Sequence, residues 1–163
     1  MKIILLSFLL ELSVSAQAPS QSVTAHYGKL PLSFESNQGQ TDAEIRFVAR
    51  GAGYTIFLSP TFATFALQQN ADSAVVRMDL LGANAGVTMQ PQDKLPGITN
   101  YLMGSTGTKW PTNLPTYAKT RSQGVYPGID LVYYGTQSQL EYDFVLAPHA
   151  IVSAASTFGS LSA

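Results

Sequence analysis

The sequence predicts an all-β domain with an antiparallel, β-sandwich-like architecture, and two observations support this fold class. From residue 30 onward, short runs rich in valine, isoleucine, phenylalanine, tyrosine and threonine alternate with clusters of glycine, proline, asparagine and aspartate. In addition, no window of about 12 residues beyond residue 16 has the apolar repeat of ~3.6 residues that a helix requires. Strands that recur every ~8–12 residues without intervening helices favour an antiparallel sheet over a parallel α/β sheet.

The N-terminal residues have the order of a secretory signal peptide. Lys2 gives a positive start, Ile3–Leu10 form an apolar run, and Val14–Ala16 supply small residues at a cleavage site. We therefore predict a signal peptide over residues 1–16 and an exported protein in the extracellular space, on the cell surface or in the periplasm. The alternatives are a buried N-terminal helix or an uncleaved anchor. The mature chain contains no apolar segment of spanning length, so we expect no transmembrane segment.

Residues 17–29 are small and polar, include Pro19 and predict a flexible lead-in. A β-rich module is expected over residues 30–163. Its predicted strands are, in order, Ile45–Arg50, Tyr54–Ser59, Phe62–Gln68, Ala74–Leu81, Gly86–Gln90, Thr99–Met103, Ile129–Tyr134 and Leu140–Leu146. Between them lie breakers rich in glycine and proline, and residues 91–97 form one of these predicted breaks.

Composition excludes several classes of function. The chain has 163 residues, 9 Lys+Arg and 10 Asp+Glu, with a net charge of −1. This balance excludes a nucleic-acid binder that relies on a basic face. The absence of cysteine excludes a disulfide framework, a thiolate zinc site and a cysteine nucleophile. The sequence contains no complete dinucleotide fingerprint, phosphate loop or serine-hydrolase elbow. We therefore expect no cofactor.

A hairpin is predicted between residues 129–134 and 140–146, with residues 135–138 as its loop. In this register Tyr134 pairs with Gln139, and apolar residues of the two strands share one face. The residues of the second strand expected to face the core are Leu140, Tyr142, Phe144 and Leu146. The segment Tyr126–Ile129 has proline and glycine at the two central positions of a type II turn.

The same register places Asp130 opposite Asp143, and Glu141 opposite Val132. Carboxylates directly opposite each other repel, so solvent, a basic side chain or a cation must offset the repulsion. Asp130, Glu141 and Asp143 are therefore the candidate metal ligands for calcium. Glu141 with either Asp130 or Asp143 is also the candidate acid pair of a glycosidase. A solvated sheet face with cationic partners is the more common use of such residues, and it is our preferred interpretation.

Aromatic residues suggest a binding surface of a different kind. Trp110, Tyr126 and Tyr134 are the aromatic side chains that the predicted register leaves free to face outward, as in a sugar-binding platform. Packing in the core is the alternative use. The amide-rich segment Asn37–Gln40 is either a polar binding loop or a loop whose amides hydrogen-bond the backbone, and we favour the second.

Several separated segments carry a resemblance to a known family. They are Leu30–Asp42, Arg46–Tyr54, Asn100–Gly104, Trp110–Tyr117 and Val125–Gly135, followed by Leu140–Val145. Their order and spacing resemble the N-terminal domain of bacterial SBBP-repeat proteins, which are secreted or surface proteins. In those proteins the domain precedes repeats thought to build a β-propeller. The resemblance implies an extracellular β-rich module and brings no catalytic residues with it.

The end of the chain departs from that family. The stretch from Pro148 to Ser156 begins in a similar way and then changes to small residues, and no propeller repeat follows. We therefore expect the module to lack its final strand or strands. Together these observations predict a non-catalytic extracellular module with a structural or adhesion role, whose partners are surface glycans or proteins. The alternatives are a carbohydrate-binding module and a glycoside-hydrolase-like enzyme.

Overall fold

The fold is all-β and antiparallel, as the sequence predicts. The computed structural model describes residues 32–69, 71–101, 111–136 and 139–150, together with the backbone of residues 158–162. The predicted signal peptide, the lead-in and Trp110 lie outside these ranges. The strands are β1 (Phe34–Ser36), β2 (Phe47–Gly51), β3 (Tyr54–Leu58), β4 (Phe62–Gln69), β5 (Asp72–Leu80), β6 (Met89–Thr99), β7 (Leu114–Tyr126), β8 (Ile129–Thr136), β9 (Gln139–Leu146) and β10 (Phe158–Ser162). Within these ranges no helix is long and apolar enough to cross a bilayer.

The strands form one sheet in the order β10-β5-β4-β3-β2-β1-β7-β8-β9, and β6 also pairs with β7. Tyr117 of β7 pairs with both Phe34 of β1 and Lys94 of β6. Lys119 pairs with both Tyr134 of β8 and a residue of β6. Each strand residue has one partner on either side, so β6 runs along one edge of β7. Strands β1 and β8 follow each other along the opposite edge.

A single core joins the two halves of this sheet, so the sheet curls over it in a sandwich-like manner. The buried core side chains are Leu32, Phe34, Phe47, Ala49, Ile56, Leu58, Ala63, Leu80, Met89, Val125, Tyr126, Ile129, Leu131 and Tyr133. They come from both β1–β5 and β6–β8. The Tyr126 hydroxyl donates a hydrogen bond to the Leu81 carbonyl (3.1 Å), which ties the end of β7 to the loop after β5.

Strand β6 contradicts the predicted break over residues 91–97. It runs through this segment and contains Pro91 and Pro96. Proline lacks the N–H group that a ladder on both sides would need, but an edge strand leaves one side unpaired. Because β6 pairs only with β7 among the described strands, both prolines are tolerated there.

The β8–β9 hairpin has a register two residues away from the predicted one. Gln139 pairs with Thr136, not with Tyr134, so the predicted loop over residues 135–138 is wrong. Strand β8 continues through Gly135 because this position carries no side chain. A Cβ atom there would lie 2.3 Å from the Cβ atom of Leu32, which packs against the glycine.

A shift of two residues preserves the faces of the hairpin, because side chains alternate with a period of two. Leu131 therefore still shares a face with Tyr142, as predicted, although its partner is Phe144. Of the four β9 side chains expected in the core, Leu140 and Phe144 pack against it. Tyr142 and Leu146 remain 46% and 47% exposed. Strand β9 lies at one end of the strand order. No further described strand therefore lies beside it to cover these two side chains.

The amides of the segment after β1 serve the backbone, as the preferred interpretation expects. The Asn37 side chain donates hydrogen bonds to the carbonyls of Asp42 (2.7 Å) and Ile45 (2.9 Å). The Gln40 side chain donates to the Ser36 carbonyl (2.9 Å). These contacts close the loop between β1 and β2, and the amide groups of Asn37 and Gln40 are used to hydrogen-bond the backbone.

Candidate functional site

An open groove lies on the face of β6–β9 that points away from the core. It has a volume of about 300 Å³ and is lined by Gln92, Lys119, Val132, Tyr134, Asp143 and Val145. We call it the outer groove. Strand pairing explains its composition, since paired residues share a face. Gln92 pairs with Lys119, Lys119 with Tyr134, and Tyr134 with Glu141. One row of polar and aromatic side chains thus crosses four strands.

Tyr134 lies at the centre of this row. Partial desolvation, followed by hydrogen bonding and repulsion from Glu141 and Asp143, raises the pKa of Tyr134. The phenol therefore stays protonated at neutral pH and can donate a hydrogen bond. Neither Glu141 nor Asp143 forms an ion pair with a residue that the structure describes. These two carboxylates remain available as hydrogen-bond acceptors beside an aromatic ring.

Lys119 lies on the opposite side of Tyr134 from Glu141. Its Nζ atom is 3.1 Å from Asp93 Oδ2, and both side chains are largely exposed. An exposed pair of this kind is screened by water and contributes little to stability. Lys119 can therefore exchange Asp93 for a ligand at small cost.

Asp130, one of the three predicted metal ligands, is occupied by protein donors. Its Oδ2 atom accepts hydrogen bonds from Arg121 Nη2 (2.6 Å) and Nε (3.0 Å), and its Oδ1 atom accepts one from the Gly124 amide (2.7 Å). The Gly124 amide, opposed by partial burial and aided by Arg121, lowers the pKa of Asp130. The positive charge of Arg121 therefore offsets the negative charge of this carboxylate, as the preferred interpretation expects.

The three predicted metal ligands share a face but are not directly opposed. Asp130 pairs with Val145, and Asp143 pairs with Val132, which corrects the predicted Asp130–Asp143 pair. In the described parts of the chain, no group of three or more acidic or histidine side chains is placed to hold a metal ion. The calcium hypothesis thus loses the directly opposed carboxylates on which it rested.

The aromatic residues predicted to face outward do not lie on one surface. Tyr126 was predicted to face outward, but it is only 3% exposed and belongs to the core. Its position at the β7–β8 turn, where Gly128 has a φ of 73°, directs the ring inward against Phe144. Tyr134 does line the outer groove. Trp110 lies outside the described residues.

A second polar arrangement was not predicted from the sequence. Glu35 on β1 is buried, and its carboxylate accepts hydrogen bonds from Thr99 Oγ1 (3.0 Å) and the Tyr101 hydroxyl (2.5 Å). The Tyr101 oxygen in turn accepts hydrogen bonds from Arg50 Nε (3.3 Å) and Nη2 (3.1 Å). Burial, and then the hydrogen bond to Glu35, raises the pKa of Tyr101. The partners of Glu35 lie more than 60 positions away in the chain, so no local pattern indicates them.

Comparison with known proteins gives a family and no further identity. No curated protein and no solved structure matches the chain. One family model, described as a domain of unknown function (DUF7948), matches residues 34–156. This range includes β1 to β9, the outer groove and the Glu35–Tyr101 contact. The match covers most of the chain, and the protein therefore belongs to the DUF7948 family.

Proposed function

We propose that the chain is a non-catalytic β-module of an exported protein, with a structural or adhesion role. The observation that carries this proposal is the state of Asp130. A catalytic carboxylate pair needs two acids facing a substrate, and Asp130, one of the three candidate acids, is held by Arg121 and by a backbone amide. Glu141 and Asp143 remain, and the activity test below addresses them. The resemblance to SBBP-repeat proteins supports the same role, and so does the signal-peptide order of residues 1–16.

Export is tested by expressing the full chain in a bacterial host and separating its cell fractions. The expected result is a protein outside the cytoplasm whose N-terminus, read by mass spectrometry, is Gln17. A control chain with Ala16→Arg should remain unprocessed, because cleavage requires a small residue at that position. An unprocessed cytoplasmic protein in the unchanged chain would contradict the proposal.

Lack of catalysis is tested with a panel of chromogenic glycosides. We expect no turnover above that of the Glu141→Gln and Asp143→Asn variants, which remove the two carboxylates that lack ion-pair partners among the described residues. Turnover in the unchanged chain that either variant abolishes would replace the module proposal with the glycosidase alternative.

A second candidate function is carbohydrate binding in the outer groove, and one observation favours it. Tyr134 presents an aromatic ring with acceptor carboxylates on one side, while Lys119 supplies a donor on the other. Saccharides combine an apolar ring face with a rim of hydroxyl groups, so such a surface matches both parts. The groove is open along the sheet, which suits a chain more than a small molecule.

The test is a binding assay of the full chain on insoluble cellulose, chitin and xylan. Tyr134→Ala should weaken binding by about tenfold, as expected for the loss of one aromatic stacking contact. Tyr142→Ala is the matched control, since Tyr142 is also exposed on this hairpin but lies on its other face. Equal losses in both variants, or no binding to any of the three polymers, would remove this candidate.

A further inference from the structure

A second groove lies on β2–β5, away from the outer groove, and has a volume of about 410 Å³. We call it the Arg50 groove. Small residues form much of its lining, and Arg50 is the one charged residue among the described residues that line it. Ala66 and Val75 also line it and share the face of Arg50, since Arg50 pairs with Thr55, Thr55 with Ala66 and Ala66 with Val75, which is 55% exposed. The groove thus combines a single positive charge with an apolar wall.

The guanidinium of Arg50 is held in a fixed orientation. Its Nε and Nη2 atoms both donate to the Tyr101 hydroxyl, and its Nη1 atom donates to Thr55 Oγ1 (3.4 Å). The Arg50 Cζ atom also lies 5.2 Å from the centroid of the Tyr101 ring. The hydroxyl of Tyr101 is fixed in turn by the buried carboxylate of Glu35.

These contacts leave one edge of the guanidinium open. Arginine has five N–H donors, and the contacts above use three of them. The two that remain are one on Nη1 and one on Nη2, the two nitrogens of the terminal fork of the group. This fork has the geometry that a carboxylate accepts through both oxygens at once. An orientation fixed before binding reduces the entropy that a ligand must offset.

The charge of Arg50 also lacks a direct counterion in the part of the chain that the structure describes. The ion pairs there involve Arg77, Lys119 and Arg121, and Glu35 reaches Arg50 only through the Tyr101 hydroxyl. No carboxylate from the described ranges lines the groove. An anionic group placed in the groove would therefore meet an attractive charge and no competing acid.

We propose that the Arg50 groove binds a carboxylate carried on an apolar chain. The carboxylate accepts hydrogen bonds from the terminal fork of Arg50, and the chain lies against Ala66 and Val75, which share the face of Arg50. This is independent of the proposed module role and of the outer groove. The Glu35–Tyr101 contact acts as a positioning element, because it orients Arg50 without touching the ligand.

The test is a titration of the full chain with octanoate, followed by NMR shifts and calorimetry. We expect saturable binding that Arg50→Gln weakens by about tenfold or more, the loss expected when a charged bidentate contact is removed. Arg46→Gln is the matched control, because Arg46 is exposed on the same segment but does not line the groove. Its affinity should stay within about twofold of the unchanged chain.

Further measurements test the roles of the arginine fork, the carboxylate and the apolar chain separately. Arg50→Lys keeps the charge but not the fork, so it should also weaken binding. Octanol lacks the carboxylate and glucuronate lacks the apolar chain, so both should bind more weakly than octanoate. Absence of saturation with octanoate, equal binding of octanol or glucuronate, or unchanged affinity in Arg50→Gln or Arg50→Lys would overturn the proposal. If Arg50→Gln fails to fold, the comparison of the three probes on the unchanged chain still decides.

Discussion

The carboxylate of Glu35 accepts a hydrogen bond from the hydroxyl of Tyr101, which lies 66 positions further along the chain. Glu35 is 5% exposed, and its other carboxylate oxygen accepts a hydrogen bond from Thr99. Two hydroxyl groups thus replace the water that an exposed glutamate would have. The contact joins β1 to the end of β6, two strands that both pair with β7 and not with each other.

Glu35→Gln should therefore destabilise the fold. An amide in place of the carboxylate presents one donor where both partners donate, and an unmatched buried polar group costs about 1–3 kcal/mol. Urea unfolding followed by circular dichroism measures the change. Glu44→Gln, at an exposed site on the neighbouring loop, should change the free energy of unfolding by less than about 0.5 kcal/mol. Similar stability of the two variants would show that the Glu35 contacts contribute little.

The sequence predicted the strands whose inward residues are apolar. It did not predict β7, the longest strand, since the inward positions along its middle carry Thr116, Thr120 and Ser122, and no apolar alternation marks them. The prolines of β6 concealed that strand in the same way, because their tolerance depends on an edge position that only the sheet order reveals.

The candidate sites show the same limit. Tyr134 could be identified from the parity of the hairpin, and a shift of two residues preserved that parity. The pairing of its carboxylate neighbours depended on the exact register, so the predicted Asp130–Asp143 pair was wrong. Arg50 and Tyr101 meet only through the fold, and their local sequence gives no sign of the contact.

Asp130 should make the stability of the protein depend on acid pH. Its pKa is lower in the folded chain than its ordinary value of 3.8, because of the Gly124 amide and Arg121. The stabilisation is therefore present above about pH 4 and is lost as the pH falls through the lower folded-state value. Asp130→Asn should cost about 1–2 kcal/mol at pH 7, a range that allows for partial exposure of the pair.

Urea unfolding of the Asp130→Asn variant at pH 7 and pH 3 tests this dependence. The difference between variant and unchanged chain should shrink at the lower pH. Asp93→Asn is the control, since the Asp93–Lys119 pair is more exposed and should contribute less than about 0.5 kcal/mol. A constant difference for Asp130→Asn across this pH range would contradict the role of its charge.

Gly135→Ala should destabilise the fold through a steric clash. The added methyl group would lie 2.3 Å from the Leu32 Cβ atom and 2.8 Å from the Leu32 carbonyl oxygen, so backbone must move. Overpacking of this kind costs about 1–3 kcal/mol. Gly86→Ala is the control, because its methyl group would meet only the Asn84 side chain, at 3.3 Å. The thermal midpoints of the two variants measure the difference, and equal midpoints would mean that Leu32 does not pack against β8.

Removal of the Tyr133 hydroxyl should leave the protein equally stable or make it more stable. Tyr133 is fully buried, and its hydroxyl has no hydrogen-bond partner among the described residues. Burial, with minor contributions from Tyr142 and Tyr126, raises the pKa of Tyr133 far above its ordinary value, so the group stays neutral. A buried polar group without a partner costs about 1–3 kcal/mol, and Tyr133→Phe removes that cost while keeping the ring.

Tyr126→Phe is the matched variant, since Tyr126 is also buried in the core and its hydroxyl does donate a hydrogen bond, to Leu81. This substitution should cost about 0.5–1.5 kcal/mol. Urea unfolding thus tests whether the two substitutions change the free energy of unfolding in opposite directions. A clear loss of stability in Tyr133→Phe would mean that its hydroxyl does form a stabilising hydrogen bond. The Tyr133 hydroxyl would then be a hydrogen-bonded polar group of the interior between β7 and β8.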